Sequence, residues 1–303
     1  SSMHENAIKL NTARNCLAYL IETKKIKRIA LPRFLCDSVA EVCNQYKVEI
    51  RYYSINSFFK PKEETVFEKN EWLYLVNYYG QLTNSYIAEK KAEHEKLVVD
   101  NVQAFYQKPV QGVDTLYTCR KFFGVSDGAF LYTDTRLKRQ LEVDFSYERI
   151  RHIMGRYEKS ASEFYKEYVA EEKALIGQPI KIMSKLTDNL LHAINYEEIK
   201  RIRIRNYNYL QKELSCMNGL QLENIPEAPF MYPLYVESGD TLRKRLQKLN
   251  IFIPTLWPNV LETCNETDLE YKFAQNILPL PVDQRYTIED MNILVREIKR
   301  CID

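Results

Sequence analysis

Glycine is scarce in this chain, 8 of 303 residues. There is no G-x-G-x-x-G, no G-x-x-x-x-G-K-[ST] and no G-x-S-x-G. That argues against the glycine loops of a Rossmann dinucleotide site and a P-loop, and against the strained elbow that presents a hydrolase serine. Histidine is also rare, and His4, His94, His152 and His192 lie far apart. The seven cysteines (Cys16, Cys36, Cys43, Cys119, Cys216, Cys264 and Cys301) form no C-x-x-C pair. No metal site is expected, and an odd, scattered set of thiols fits a reducing, cytoplasmic setting. Charge of one sign is missing too: 43 basic residues against 41 acidic leave a net +2. This balance gives no global argument for nucleic acid or a membrane surface as a partner. No apolar run approaches the roughly 20 residues of a transmembrane helix. The opening SSMHENAIKL is not a signal peptide, and Ser1-Ser2-Met3 reads as a scar left by expression.

What is present is a 45% hydrophobic chain, enough for one large domain or two unequal ones. The first half alternates short apolar runs with helical stretches. The runs are AIKLN (7–11), RIALP (28–32), EIRYYSI (49–55), WLYLVNY (72–78), KLVVDN (96–101), TLYTC (115–119) and GAFLYT (128–133). Near-continuous apolar character marks strands covered on both faces, and the alternation predicts a mostly parallel α/β sheet of seven strands. The short link between the last two runs predicts an antiparallel edge. Past about residue 140 the texture changes. Stretches 147–175 and 183–215 read as long helices, followed by a smaller α+β unit with YPLYVE (232–237), IFIPTLW (251–257) and a terminal helix over 287–301. The expected division is 1–145 for the large domain and 146–303 for the helices and small domain.

Open α/β sheets bind ligands at the carboxyl ends of their strands. Four ends here carry polar groups: Asn11-Thr12-Ala13-Arg14, Asn77-Tyr78-Tyr79-Gly80, Asp100 with Gln103 three residues on, and Thr118 with Lys121. Each has a plain reading. Thr12 suits an ordinary helix cap, Asp100 a turn cap, and Lys121 a solvated side chain. Together they say more. A helix N-terminus suits a phosphate, a carboxylate suits a pyridinium nitrogen, and a lysine in a partly apolar loop suits a carbonyl carbon. Phosphate, ring nitrogen and aldehyde are the three handles of pyridoxal 5'-phosphate. Arg33 and Arg285 are candidates for substrate anions.

The residues carry a resemblance as well. AIKLNTARNCLAYL, LPRFLCDSV, LVNYYGQL, VVDNVQAFYQKP, YTCRKFFGVSDGAFLYT, MSKLTDNLL and LPLPVDQRY together resemble the fold-type-I pyridoxal-phosphate enzymes. Within them the chain looks like the DegT-type sugar aminotransferases, and most like an uncharacterised bacterial group of that type. The pair VVDNVQAF and RKFFGVSDG is the most specific part. The resemblance implies that Lys121 bears the cofactor and Asp100 pairs with its ring nitrogen. Gln103 would approach the ring hydroxyl. Thr12, Ala13, Arg14 and Thr118 would hold the phosphate. Phe34 would stack on the ring, Asn77 would stand near the site, and Tyr78 would face substrate. The implied function is transfer of an amino group from an amino acid donor to a keto acceptor, such as a keto sugar nucleotide, by a homodimer. The alternatives are other chemistry on the same cofactor, a lyase or dehydratase, or a degenerate scaffold of this fold without catalysis.

Overall fold

The computed structural model describes residues 3–302; Ser1 and Ser2, read above as part of a scar, and Asp303 lie outside the described residues. The chain runs β1 (Ile8–Leu10), α1 (Ala13–Lys24), β2 (Arg28–Pro32), α2 (Asp37–Gln45), β3 (Glu49–Tyr53), β4 (Trp72–Val76), α3 (Asn84–Glu93), β5 (Leu97–Asp100), β6 (Asp114–Thr118) and β7 (Ala129–Tyr132). These strands form one seven-stranded sheet in the order β1-β7-β6-β5-β4-β2-β3. All neighbours pair parallel except β7, which is antiparallel to both β1 and β6. This is the expected mostly parallel α/β sheet.

Burial explains the order. Every residue of β5 and β6 is buried, which places these apolar runs at the centre, while β3 keeps exposed Glu49 and Tyr52 at the edge. Helix α1 starts because the Thr12 hydroxyl accepts from the Asn15 amide at 3.2 Å, and it ends where Lys25 turns left-handed at φ 55°. Its apolar residues Cys16, Leu17 and Leu20 join the main core.

The second half continues through α4 (Arg151–Glu158), α5 (Tyr165–Ala174), α6 (Lys185–His192), α7 (Tyr196–Leu214), β8 (Met231–Tyr235), α8 (Gly239–Lys248), α9 (Val260–Thr263), α10 (Leu269–Asn276), β9 (Ile277–Pro281) and α11 (Ile288–Ile302). The two long helices expected over 147–175 and 183–215 are each broken in two. Between α4 and α5 the Ser160 hydroxyl bonds Glu163, a local alternative to the helix ladder. Between α6 and α7, Asn195 accepts from the Glu198 amide at 3.1 Å and starts a new helix. Strands β8 and β9 pair antiparallel, and α11 packs on them through Met291, Leu294, Val295 and Ile298, one face of its turns. The intervening segment returns to the sheet, where Ile182 bridges Leu10 and Val143. Among the described residues no helix is long and apolar enough to cross a membrane.

Candidate active site

Strands β6 and β7 are joined by residues 119–128, and this loop is pinned at both ends and in the middle. The Cys119 amide donates to the Gly128 carbonyl at 3.0 Å, and the amides of Phe122 and Phe123 donate back to the Cys119 carbonyl. Gly128 has φ 110°, and a Cβ there would sit 2.9 Å from Thr187 Cγ2, so only glycine fits. Asp127 is fully buried and accepts from the Ser184 amide and hydroxyl, each at 2.8 Å, and from the Thr187 hydroxyl. Arg203 on α7 and Gln284 both donate to the Phe122 carbonyl, at 3.3 and 2.7 Å. The Arg203 guanidinium also lies over the Phe122 ring at 4.6 Å. Phe122 and Phe123 bury themselves among Phe105, Tyr106 and Phe230, and the Lys121 amine lies over the Phe230 ring at 5.3 Å.

Lys121 projects between two cavities. The first, about 370 Å³, is lined by Thr12, Ala13, Arg14, Tyr74, Asp100, Thr118, Arg120, Lys121, Glu172 and Trp257, among others. The second, about 840 Å³, is bounded by Arg120, Lys121, Arg156, Arg203, Asp283 and Arg285, among others. Lys121 itself is exposed into these cavities, with protein packed densely around it. Burial pulls its pKa below the ordinary lysine range, opposed by the charge of Asp100.

Asp100 closes β5 at the base of the smaller cavity. One carboxylate oxygen accepts from the Val102 amide at 2.9 Å, the other from the Tyr74 hydroxyl at 2.8 Å. Burial pushes its carboxyl up; the Val102 amide, Lys121 and Tyr74 pull it back. At the opposite wall α1 begins. Its cap satisfies the Asn15 amide and leaves those of Ala13 and Arg14 without an intrahelical acceptor. No acidic residue stands in its first turn. Arg120 adds a second guanidinium, pushed down to about 10 by burial and by Arg14, with a buried Nε that has no partner. Two guanidinium groups, two threonine hydroxyls and a helix N-terminus suit a phosphate dianion. With an amine and a carboxylate in the same cavity, this donor set fits pyridoxal phosphate, and the volume is in the range of small-molecule sites.

The residues named from the sequence divide. Thr12, Ala13, Arg14, Asp100, Thr118 and Lys121 meet at one cavity. Phe34, Asn77, Gln103 and Tyr78 do not line it. Phe34 packs edge-on against Trp257 at 4.6 Å, and it is Trp257 and Tyr74 that bring rings to the wall. Asn77 is spent on Asn101, Gln107 and the Leu82 amide. The Gln103 oxygen holds the amide of Tyr79, whose φ of 52° is a left-handed turn, although its buried Nε2 has no partner. The Tyr78 hydroxyl donates to the Phe34 carbonyl. Arg33 pairs with Asp268 at 2.8 Å and faces a separate cavity of about 250 Å³. Arg285 does line the larger cavity, but Asp283 already grips it through two bonds. Arg120, Glu172 and Trp257 line the same cavity without being among the residues that the sequence singles out. The Arg-Lys dipeptide was the signal for the first; the other two arrive from distant segments with no local mark.

No family model matches the chain, and no curated protein matches it by sequence. Solved structures do. The sugar aminotransferase CalS13 from Micromonospora echinospora is 17% identical, with 97% of this chain and 87% of that one covered at a TM-score of 0.66. S. venezuelae DesV, solved in complex with a ketimine intermediate, is 15% identical over 97% of this chain and 84% of its own, also at 0.66. An aminotransferase from Psychrobacter cryohalolentis is 12% identical over 98% and 87%, at 0.69. At such identities the likeness is one of architecture: this chain has the fold of these aminotransferases, the fold-type-I arrangement that the sequence resembles.

Proposed function

We propose that the protein is a pyridoxal-phosphate-dependent aminotransferase that moves an amino group from an amino acid donor to a keto acceptor. A keto sugar is the acceptor class suggested by structural neighbours described as sugar aminotransferases. One observation carries the reading: Lys121, Asp100 and the N-terminus of α1 converge on a single cavity. When bound there, the cofactor supplies the electron sink that lets a carbon beside nitrogen lose its proton. Thr12, Arg14 and Arg120 would hold its phosphate. Asp100 would keep a proton on its ring nitrogen, in the buried surroundings that strengthen such a pair. Lys121 would bear its aldehyde carbon and, once released, move the proton at the substrate α-carbon. Its lowered pKa enlarges the neutral, reactive share of the amine. The larger cavity beyond Lys121, with Arg156 and Arg285 on its wall, would receive the substrates.

Incubation with pyridoxal phosphate followed by borohydride should place one covalent adduct on Lys121, mapped by peptide mass spectrometry. An adduct on another lysine such as Lys108, or an adduct that persists in Lys121→Ala, would sink the proposal. We also propose a homodimer. Phe145 is 72% exposed and Tyr157 92%, with Tyr147 and Tyr165 exposed beside them in the sequence. Exposed aromatic side chains of this kind suit an interface. A monomer by light scattering at micromolar concentration would refute that part.

A further inference from the structure

The smaller cavity holds more positive charge than its own wall neutralises. Asp100 faces Lys121, which leaves Arg14 and Arg120 with one carboxylate between them, Glu172. Glu172 comes from α5, pairs with Arg120, and lines the cavity. The pairing is incomplete: it engages Nη2, and the buried Nε of Arg120 keeps no partner. Helix α5 is otherwise weakly held. None of its ten residues is buried. Its neighbour Glu171 accepts from the His152 backbone amide at 3.2 Å and pairs with that ring. A ten-residue helix has little stability of its own, so side-chain tethers of this kind decide where it lies.

We infer that Glu172 occupies the anion site as an internal stand-in for a phosphate, and that an incoming phosphate group displaces it and frees α5 from the lysine loop. A carboxylate reaches one edge of one guanidinium. A phosphate offers three acceptor oxygens and a second charge, and can meet Arg120, Arg14 and the open amides of α1 together. Once it is bound, Glu172 faces an anion of its own sign and loses its place. The inference deepens the proposed function, on which the identity of the natural phosphate rests. The shared chemistry is a phosphate monoester or inorganic phosphate, whichever molecule carries it.

Hydrogen exchange and calorimetry test it on the full chain, with inorganic phosphate, pyridoxal phosphate and phosphate-free pyridoxal as probes. Both phosphate-bearing probes should slow exchange at residues 13–15 and speed it across 165–174; pyridoxal should do neither. Glu172→Gln should bind inorganic phosphate roughly three- to fivefold more tightly, the scale of a partly exposed ion pair. In that variant α5 should exchange fast before any phosphate is added. Glu167→Gln, on the same helix but off the cavity, should match the wild type. Equal phosphate affinity in Glu172→Gln and wild type, or slower exchange in α5 on phosphate binding, overturns the inference. A phosphate response without a Lys121 adduct leaves the inference standing and removes the aminotransferase. A Lys121 adduct without the α5 response does the reverse.

Discussion

Replacing Asp100 by asparagine separates catalysis from simple turn capping. The side chain accepts two hydrogen bonds, from the Val102 amide at 2.9 Å and the Tyr74 hydroxyl at 2.8 Å. Asparagine keeps one oxygen for Val102, since it caps as well as aspartate does. Its amide nitrogen cannot accept from Tyr74, so that hydroxyl must reverse its role, at a cost of about 1 kcal/mol. Against this, burial raises the folded pKa of Asp100, so keeping its charge in the fold carries a desolvation cost that asparagine does not. The two effects oppose, and the net change should stay within about 1 kcal/mol, a shift of less than about 3 °C in Tm. Loss of the carboxylate also removes the main charge holding up the pKa of Lys121, so covalent capture of pyridoxal phosphate should extend to lower pH. The donor half-reaction, followed spectroscopically in single turnover, should slow by roughly two or more orders of magnitude, about 2.7 kcal/mol of barrier. A variant with wild-type stability and near wild-type half-reaction rate would reduce Asp100 to a cap.

Arg203→Met keeps most of the buried volume but leaves the carbonyls of Pro229 and Phe230, now held at 2.9 and 3.2 Å, without their donor. It should cost about 2–4 kcal/mol in denaturant unfolding and slow adduct formation at Lys121; unchanged midpoints would refute the anchoring role. The pH dependence has a clear sign at His4, whose imidazole burial pushes down to about 4, opposed by the Phe105 carbonyl. Between about pH 6.5 and 4 the unfolded chain binds a proton that the folded chain refuses, so stability is full above that window and falls through it, by about 3 kcal/mol. Urea midpoints measured from pH 7.5 to 4.5 should fall less steeply in His4→Gln than in wild type, and parallel slopes would contradict the argument.

The seven strands were legible because a strand covered on both faces has little choice of composition: LVVD and DTLYT are buried at every position. The breaks at 159–164 and 193–195 were not, since Ser160 and Asn195 are unremarkable until their side chains are seen to bond the chain locally. Asp100 and Lys121 were named because a carboxylate and a lysine at strand ends are chemically conspicuous. Trp257 and Glu172 were invisible, because nothing in their own neighbourhoods says which strand end they will face. Phe34 and Asn77 show the converse: the right residue types near the right strand ends, used instead for packing and for holding a loop.

The tethering of the lysine loop by Arg203 and Gln284 has a consequence for how the molecule is made. All seven strands of the large sheet have been synthesised by residue 132, so the sheet can assemble while the rest of the chain is still emerging. The Phe122 carbonyl, one residue from Lys121, waits for donors that arrive 81 and 162 positions later. A nascent or truncated chain ending before Gln284 would therefore carry its sheet and its lysine, but with the lysine loop short of an anchor.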